Sequence, residues 1–361
     1  RQSRPRLVAF GTDGCQMTNA TSRHEGRKRI KIALQGGGSH GAFTWGVLDR
    51  LLADPRLEIE AVVGTSAGAM NAAVLVDGLV RGGPELARQQ LRMFWENVAS
   101  LAAFSPLQPS AIDRLLGSGN MDFSPSWQVV DVLNKVFSPY ELNPAAFNPL
   151  QQILEKTVDF AGLRQGAEPA LFVSATNVLT GRLRVFARHE ITVATIMASA
   201  CLPMMFHAVE IDGQHYWDGG YCGNPPIFPL IYMGGGPDVL IVQLNPINIP
   251  DVPKDVRSIL DRINTLSFNS SLMREMRMIK FVTDLIDRGE LSQERFLRIN
   301  IHTIDAEDEL GALNASSKFN ADKEFLLQLY ALGLARADTF LSAHFDAIGN
   351  HSSTDIEKKF L

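Results

Sequence analysis

Ile59-Glu60-Ala61-Val62-Val63-Gly64-Thr65-Ser66-Ala67-Gly68 is the stretch on which the reading of this chain turns. Its first half, Ile59–Val63, is short, apolar and rich in β-branched residues, as a buried strand is. Its second half is a G-x-S-x-G turn, and the residues beyond it, to about Gly78, read as a helix. A serine at such a strand-to-helix turn is held in strained backbone and stands out at the carboxyl edge of a sheet. The helix N-terminus beneath it favours developing negative charge. Gly64 and Gly68 remove the Cβ atoms that would collide on either side, so Ser66 is a candidate nucleophile.

Working upstream, Ile30–Leu34 is a second short strand, followed by Gly36-Gly37-Gly38-Ser39-His40-Gly41 and a helical run from Ala42 to Leu52. Phe43, Val47, Leu48, Leu51 and Leu52 fall at helical spacing within that run. Strand, tight turn and helix, repeated, imply a parallel sheet with helices on its faces. The glycine run spells the dinucleotide fingerprint, which also wants an acidic residue at the far end of the next strand. Glu58 and Glu60 lie at that strand's start, on the wrong edge. An oxyanion hole suits the run better, with the amides of Gly36, Gly37 and Gly38 aimed at a tetrahedral intermediate and Gly41 supporting the motif. A nucleotide-binding or regulatory module remains the rival reading.

Downstream, Leu171–Ala175 and Leu183–Phe186 read as a hairpin, residues 191–200 as a buried helix, and Asp238–Leu244 as a strand buried on both faces. Val209–Ile211 and His215–Trp217 flank Asp212-Gly213, a strong hairpin signal. That hairpin delivers Asp218-Gly219-Gly220, where the two glycines let the backbone turn and a substrate approach. A carboxylate of reference pKa about 3.9 is a weak base for an alcohol unless desolvation raises it. The chain holds 8 histidines, none in a distinctive context; His302 and His344 keep a Ser-His-Asp esterase open as the alternative to Asp218.

The 361 residues carry 34 basic and 39 acidic side chains, a net charge of −5, which provides no basic field for nucleic acid. The 3 cysteines, Cys15, Cys201 and Cys222, cannot all pair and fit no zinc spacing, so the expected setting is reducing and cytoplasmic. Residues 1–29 read as a flexible basic extension. Residues 30–245 read as a catalytic core with a helical insertion over about 84–165, the candidate cap. Residues 246–350 read as a C-terminal helical region, and 351–361 as a tail. Two uncharged stretches, 61–76 and 191–209, are too interrupted by polar residues and proline to be membrane spans.

Gly36-Gly37-Gly38-Ser39-His40-Gly41, Gly64-Thr65-Ser66-Ala67-Gly68 and Asp218-Gly219-Gly220, in that order, resemble the patatin-like phospholipase family from about Lys31 to Gly236. The resemblance implies a three-layer α/β/α fold with a central, mostly parallel sheet. It also implies a lipolytic acyl hydrolase in which Ser66 is nucleophile, Asp218 base, and the Gly36–Gly38 backbone the oxyanion hole. It implies no cofactor and no metal, and the expected partner is a lipid or acyl-ester substrate. One departure stands out: the family commonly has Arg or Lys where this chain has His40. Lipid substrates call for peripheral membrane contact, for which Phe104, Trp127, Phe137, Phe147 and the basic amphipathic segment 272–286 are candidates.

Overall fold

A computed structural model describes residues 26–361 apart from 104, 106, 118, 167, 293 and 294. Most of the basic extension, and Phe104 among the membrane candidates, lie outside the described residues. The strands are β1 (Lys28–Leu34), β2 (Leu57–Gly64), β3 (Ala170–Asn177), β4 (Leu183–Ala187), β5 (Val209–Ile211), β6 (Gln214–Asp218), β7 (Asp238–Val242) and β8 (Asn300–Ile304). They form one sheet in the order β5-β6-β3-β2-β1-β7-β8, with β4 also paired to β3. The pairs from β3 through β8 along this order are parallel, while β4, β5 and β6 join antiparallel at one side.

Helices α1 (Gly41–Leu52) and α2 (Ala67–Ala102) follow the first two strands. Five short helices come next: α3 (Ala111–Leu116), α4 (Pro125–Val136), α5 (Pro139–Leu142), α6 (Pro149–Thr157) and α7 (Phe160–Gln165). After them come α8 (Val193–Ser199), α9 (Phe228–Tyr232), α10 (Val256–Asp287), α11 (Glu307–Gly311), α12 (Lys323–His344) and α13 (Ile356–Phe360). Strand periodicity explains the layering. Ile30, Ile32, Leu34, Val62, Leu240 and Val242 point to the face packed by α1, α2 and α12. Ala33, Ala61, Val63, Val239 and Ile241 alternate with them onto the face packed by α9, α10 and α13. Each large apolar side chain so buried contributes about 1.5–3 kcal/mol relative to exposure. The fold is three-layered α/β/α.

The structure shifts several boundaries. Helix α2 does not stop near Gly78: it breaks at Gly82-Gly83, where Gly83 has φ +76°, and resumes from Pro84. The resumed half buries Leu91, Phe94 and Trp95 in the core, so the insertion over 84–165 begins with a core helix. Residues 246–350 are not wholly helical, because β8 adds an edge strand parallel to β7. Residues 351–361 are not a free tail: α13 packs against α10 and buries Ile356 and Phe360. Such apolar pairs at helical spacing are hard to tell from chance over five residues. Among the described residues, no helix is long and apolar enough to cross a membrane.

Candidate active site

Ser66 follows β2 and caps α2 with φ 56°, one of the few non-glycine residues of positive φ among the described residues. This conformation is costly for an L-residue and persists because its surroundings hold it. The Ser66 N–H donates to Ser199 Oγ at 2.9 Å, and the turn closes through Gly68 N–H to Thr65 O at 2.8 Å. Close packing explains the neighbouring glycines. A Cβ on Gly68 would lie 2.3 Å from Leu34 O, and one on Gly64 would lie 2.4 Å from Gly68 O.

Asp218 arrives from the opposite chain direction. Asp212 (φ 50°) and Gly213 (φ 71°) make the tight turn between β5 and β6, the two-positive-φ hairpin that right-handed strand twist favours. Strand β6 then runs antiparallel to β3 with Asp218 opposite Ala175, while Val173 of β3 pairs with Gly64 of β2. The ends of β2 and β6 thereby meet at one edge of the sheet. Thr176 Oγ1 donates to Asp218 O, and Asp218 N–H donates to Cys201 O, both at 2.8 Å. Gly219 packs on Ser174 and Gly220 on the Phe268 ring.

The Asp218 carboxyl is fully buried. Oδ1 accepts from Gly220 N–H at 2.7 Å, whereas Oδ2 closes no hydrogen bond. Burial pushes the carboxyl up to about 7, against the restraining influence of the Gly220 amide, the Ser66 hydroxyl and the Lys318 charge. The Ser66 hydroxyl is thus among the groups close enough to act on the Asp218 carboxyl. Cys201 and Tyr221, each pushed up to about 12 by burial and by Asp218, are neutral neighbours.

The glycine loop divides unevenly. Gly36 N–H donates to Asn224 Oδ1 at 2.7 Å, which removes it from the set of amides available to an oxyanion. The sequence could not show this, because Asn224 is 188 positions away. Gly37 and Gly38 line the pocket beside Ser66, and among the described residues their amides have no acceptor. The same holds for Ala67 at the start of α2, a donor that reading the glycine run alone passes over. Gly41 opens α1 against Ala67 and Trp95.

His40 is not a surface charge. It is 1% exposed, its Nε2 shares a 2.7 Å hydrogen bond with Ser317 Oγ, and burial and Lys318 push its pKa down to about 3. His302 does not serve Ser66 either. Its Nε2 bonds Asp238 Oδ1 at 3.0 Å and its Nδ1 bonds Ser353 Oγ at 2.8 Å, tying β7, β8 and the C-terminal segment together. His344 is an exposed residue at the end of α12. Neither lines the pocket.

A cavity of about 450 Å³ opens over Ser66 and Asp218. Its lining includes the apolar side chains Met70, Phe94, Trp95, Val98, Leu150 and Phe206 and the polar ones Asp261, Asn264, Thr265, Asn314 and Lys318. Among the described residues there is no cluster of His, Cys, Asp or Glu able to hold a metal.

The family model for patatin-like phospholipase matches residues 32–231, which span β1, both candidate side chains and α9. The chain belongs to the patatin-like phospholipase family. It is accordingly a lipid ester hydrolase with the three-layer fold of that family. No curated protein matches it. Among solved structures it is similar to VipD from Legionella pneumophila at 14% identity and TM-score 0.41, covering 92% of this chain and 73% of that one. It is also similar to full-length ExoU, in complex with SpcU from the type III secretion system of Pseudomonas aeruginosa, at 16% identity and TM-score 0.32. That match covers 88% of this chain and 53% of the other, so the chain spans about half the length of that structure.

Proposed function

We propose that this enzyme cleaves fatty-acyl esters of phospholipids or related lipids by two-step acyl transfer on a Ser66–Asp218 dyad. Ser66 Oγ gives its proton to Asp218 Oδ2 and attacks the ester carbonyl, while the amides of Gly37, Gly38 and Ala67 receive the oxyanion. Asp218 returns the proton to the departing alcohol, then takes one from the water that hydrolyses the acyl-enzyme. The observation that carries this reading is the strained Ser66 facing a buried carboxyl whose Oδ2 is unpartnered and whose pKa is raised to about 7. A base near neutral pH combines the ionised form with useful basicity. The apolar side chains of the cavity suit an acyl chain and its polar ones a leaving alcohol.

The His-dependent alternative has no support in the placement of His302 and His344. The nucleotide-binding alternative has little, since Glu60 accepts from Gly236 N–H and pairs with Arg29 at the far edge of the sheet.

Membrane contact forms part of the same proposal, on a surface that keeps part of the one read in the sequence. Trp127 is buried; in the segment 272–286, Leu272, Met276, Ile279 and Ile286 turn inward while Met278 and Phe281 stay exposed. Phe137 and Phe147 are exposed, as are Val256, Ile259, Ile263 and Leu266 along the part of α10 that reaches the cavity. We place the lipid-facing surface there.

The test is labelling with a fluorophosphonate probe followed by peptide mapping. Wild type is expected to label at Ser66 and to hydrolyse a dispersed phospholipid; Ser66→Ala should do neither. Labelling at another serine, or hydrolysis that survives Ser66→Ala, overturns the reading.

A further inference from the structure

The glycine loop carries a buried, neutral histidine, His40, yet a lysine lines the same cavity. Lys318 lies in the short 3-10 turn Ala315–Phe319, far along the chain from every motif of the sequence. Three contacts bind that turn to the glycine loop. Lys318 O lies so near Gly38 that a Cβ there would come within 2.3 Å of it, and Gly38 itself has φ +59°. Ser317 Oγ bonds His40 Nε2. Lys318 Nζ donates to Asn245 Oδ1 at 2.9 Å, and Asn245 Nδ2 donates to Gly36 O at 2.9 Å.

We propose that Lys318 is the positioning cation of this active site: through Asn245 it fixes the glycine loop, and its charge holds Asp218 in the form that accepts the Ser66 proton. The proposal rests on the Ser66–Asp218 reading above and adds to it a residue outside the matched family region.

The ammonium has three donors and one neutral partner, and among the described residues it closes no ion pair. A charge in that state acts on whatever ionises nearby. The groups that face Asp218 are few. Ser66 comes from α2, Cys201 from the segment after α8, and Tyr221 from the turn after β6; His40, in the glycine loop, is neutral. Lys318 lines the same cavity as Asp218, where a positive charge favours the carboxylate over the acid. Burial pushes the Lys318 ammonium below its usual range, and the carboxylates of Asp261 on α10 and of Asp218 restrain that fall. Burial alone would raise Asp218 further and leave less of the base form at neutral pH. The same lysine braces Gly36 O by way of Asn245, and Gly36 precedes the two amides left open to an oxyanion.

The experiment measures kcat/KM against pH on a water-soluble ester for wild type, Lys318→Gln, Lys318→Met and Lys318→Arg. It also follows the Asp218 carboxyl by 13C NMR, assigned with Asp218→Asn. Lys318→Gln should move both the acid limb of activity and the carboxyl titration upward by about one pH unit, a tenfold loss of rate at pH 6. Lys318→Met should add a fall in kcat at every pH, and Lys318→Arg should keep the limb in place. Unmoved limb and titration in both neutral variants overturn the assignment while leaving the hydrolase reading intact. A Lys318-dependent carboxyl shift in a protein that hydrolyses no ester overturns the hydrolase reading and leaves the electrostatic assignment standing. If the neutral variants lose their near-UV circular dichroism, Asn245→Ser decides the tether: kcat should fall with the acid limb unmoved, and an unchanged kcat refutes it.

Discussion

Replacing Asp218 by Asn should abolish catalysis and, at alkaline pH, make the protein more stable. Burial raises the native carboxyl from 3.8 to about 7. Between those values the native state holds a proton that the unfolded chain has lost, so stability falls as pH rises through the window and levels off above the folded pKa. About three pH units at 1.36 kcal/mol each set a ceiling of about 4 kcal/mol for this cost above pH 8. Asn keeps an acceptor for the Gly220 amide but places a side-chain NH2 where Oδ2 has no partner, which takes back about 1–3 kcal/mol. The expected net gain is on the order of 1–3 kcal/mol at pH 8.5, visible as a Tm higher by a few degrees. It should shrink and then reverse toward pH 4, near the unfolded carboxyl's own midpoint, where little of the wild-type cost is left. Calorimetry of wild type and Asp218→Asn at the two pH values reads this directly, and the wild-type rate on a soluble ester should fall about tenfold per unit below pH 7. A variant destabilised equally at pH 4.5 and pH 8.5, or a wild-type rate flat from pH 7 to pH 5, refutes the argument that a desolvated carboxylate is the base.

Gly36→Ala should cost on the order of a hundredfold in kcat/KM, because its Cβ would lie 2.6 Å from Ser66 Cβ and 2.9 Å from Thr65 O. Near wild-type turnover in a variant with unchanged circular dichroism would show that the loop yields without disturbing the serine. His302→Ala should retain activity at 25 °C yet lower stability by about 1–3 kcal/mol, since it unbridges Asp238 and Ser353 within a buried network. Denaturant titration alongside an ester assay separates the two, and lost activity in a folded variant would restore the triad alternative.

Local chemistry made much of this protein legible in its sequence. Two strand-turn-helix units with period-2 apolar strands specify a parallel sheet covered on both faces, and Ile30, Ile32 and Leu34 against Ala33 already sort into the two cores. The G-x-S-x-G turn needs glycines where backbones touch, and Asp212-Gly213 needs positive φ at both positions. These constraints act within about ten residues, so a linear reading finds them. Tertiary structure decided what depends on pairing across the chain. Strand order brings the ends of β2 and β6 to one edge; Asn224 removes the Gly36 amide from use; burial and Lys318 keep His40 neutral. The same distance hid Lys318 and Asn245, whose relation to the glycine loop exists only once the C-terminal region has packed against it. Desolvation, which makes an ordinary aspartate a base near pH 7, belongs to the folded interior and has no counterpart in any stretch of sequence.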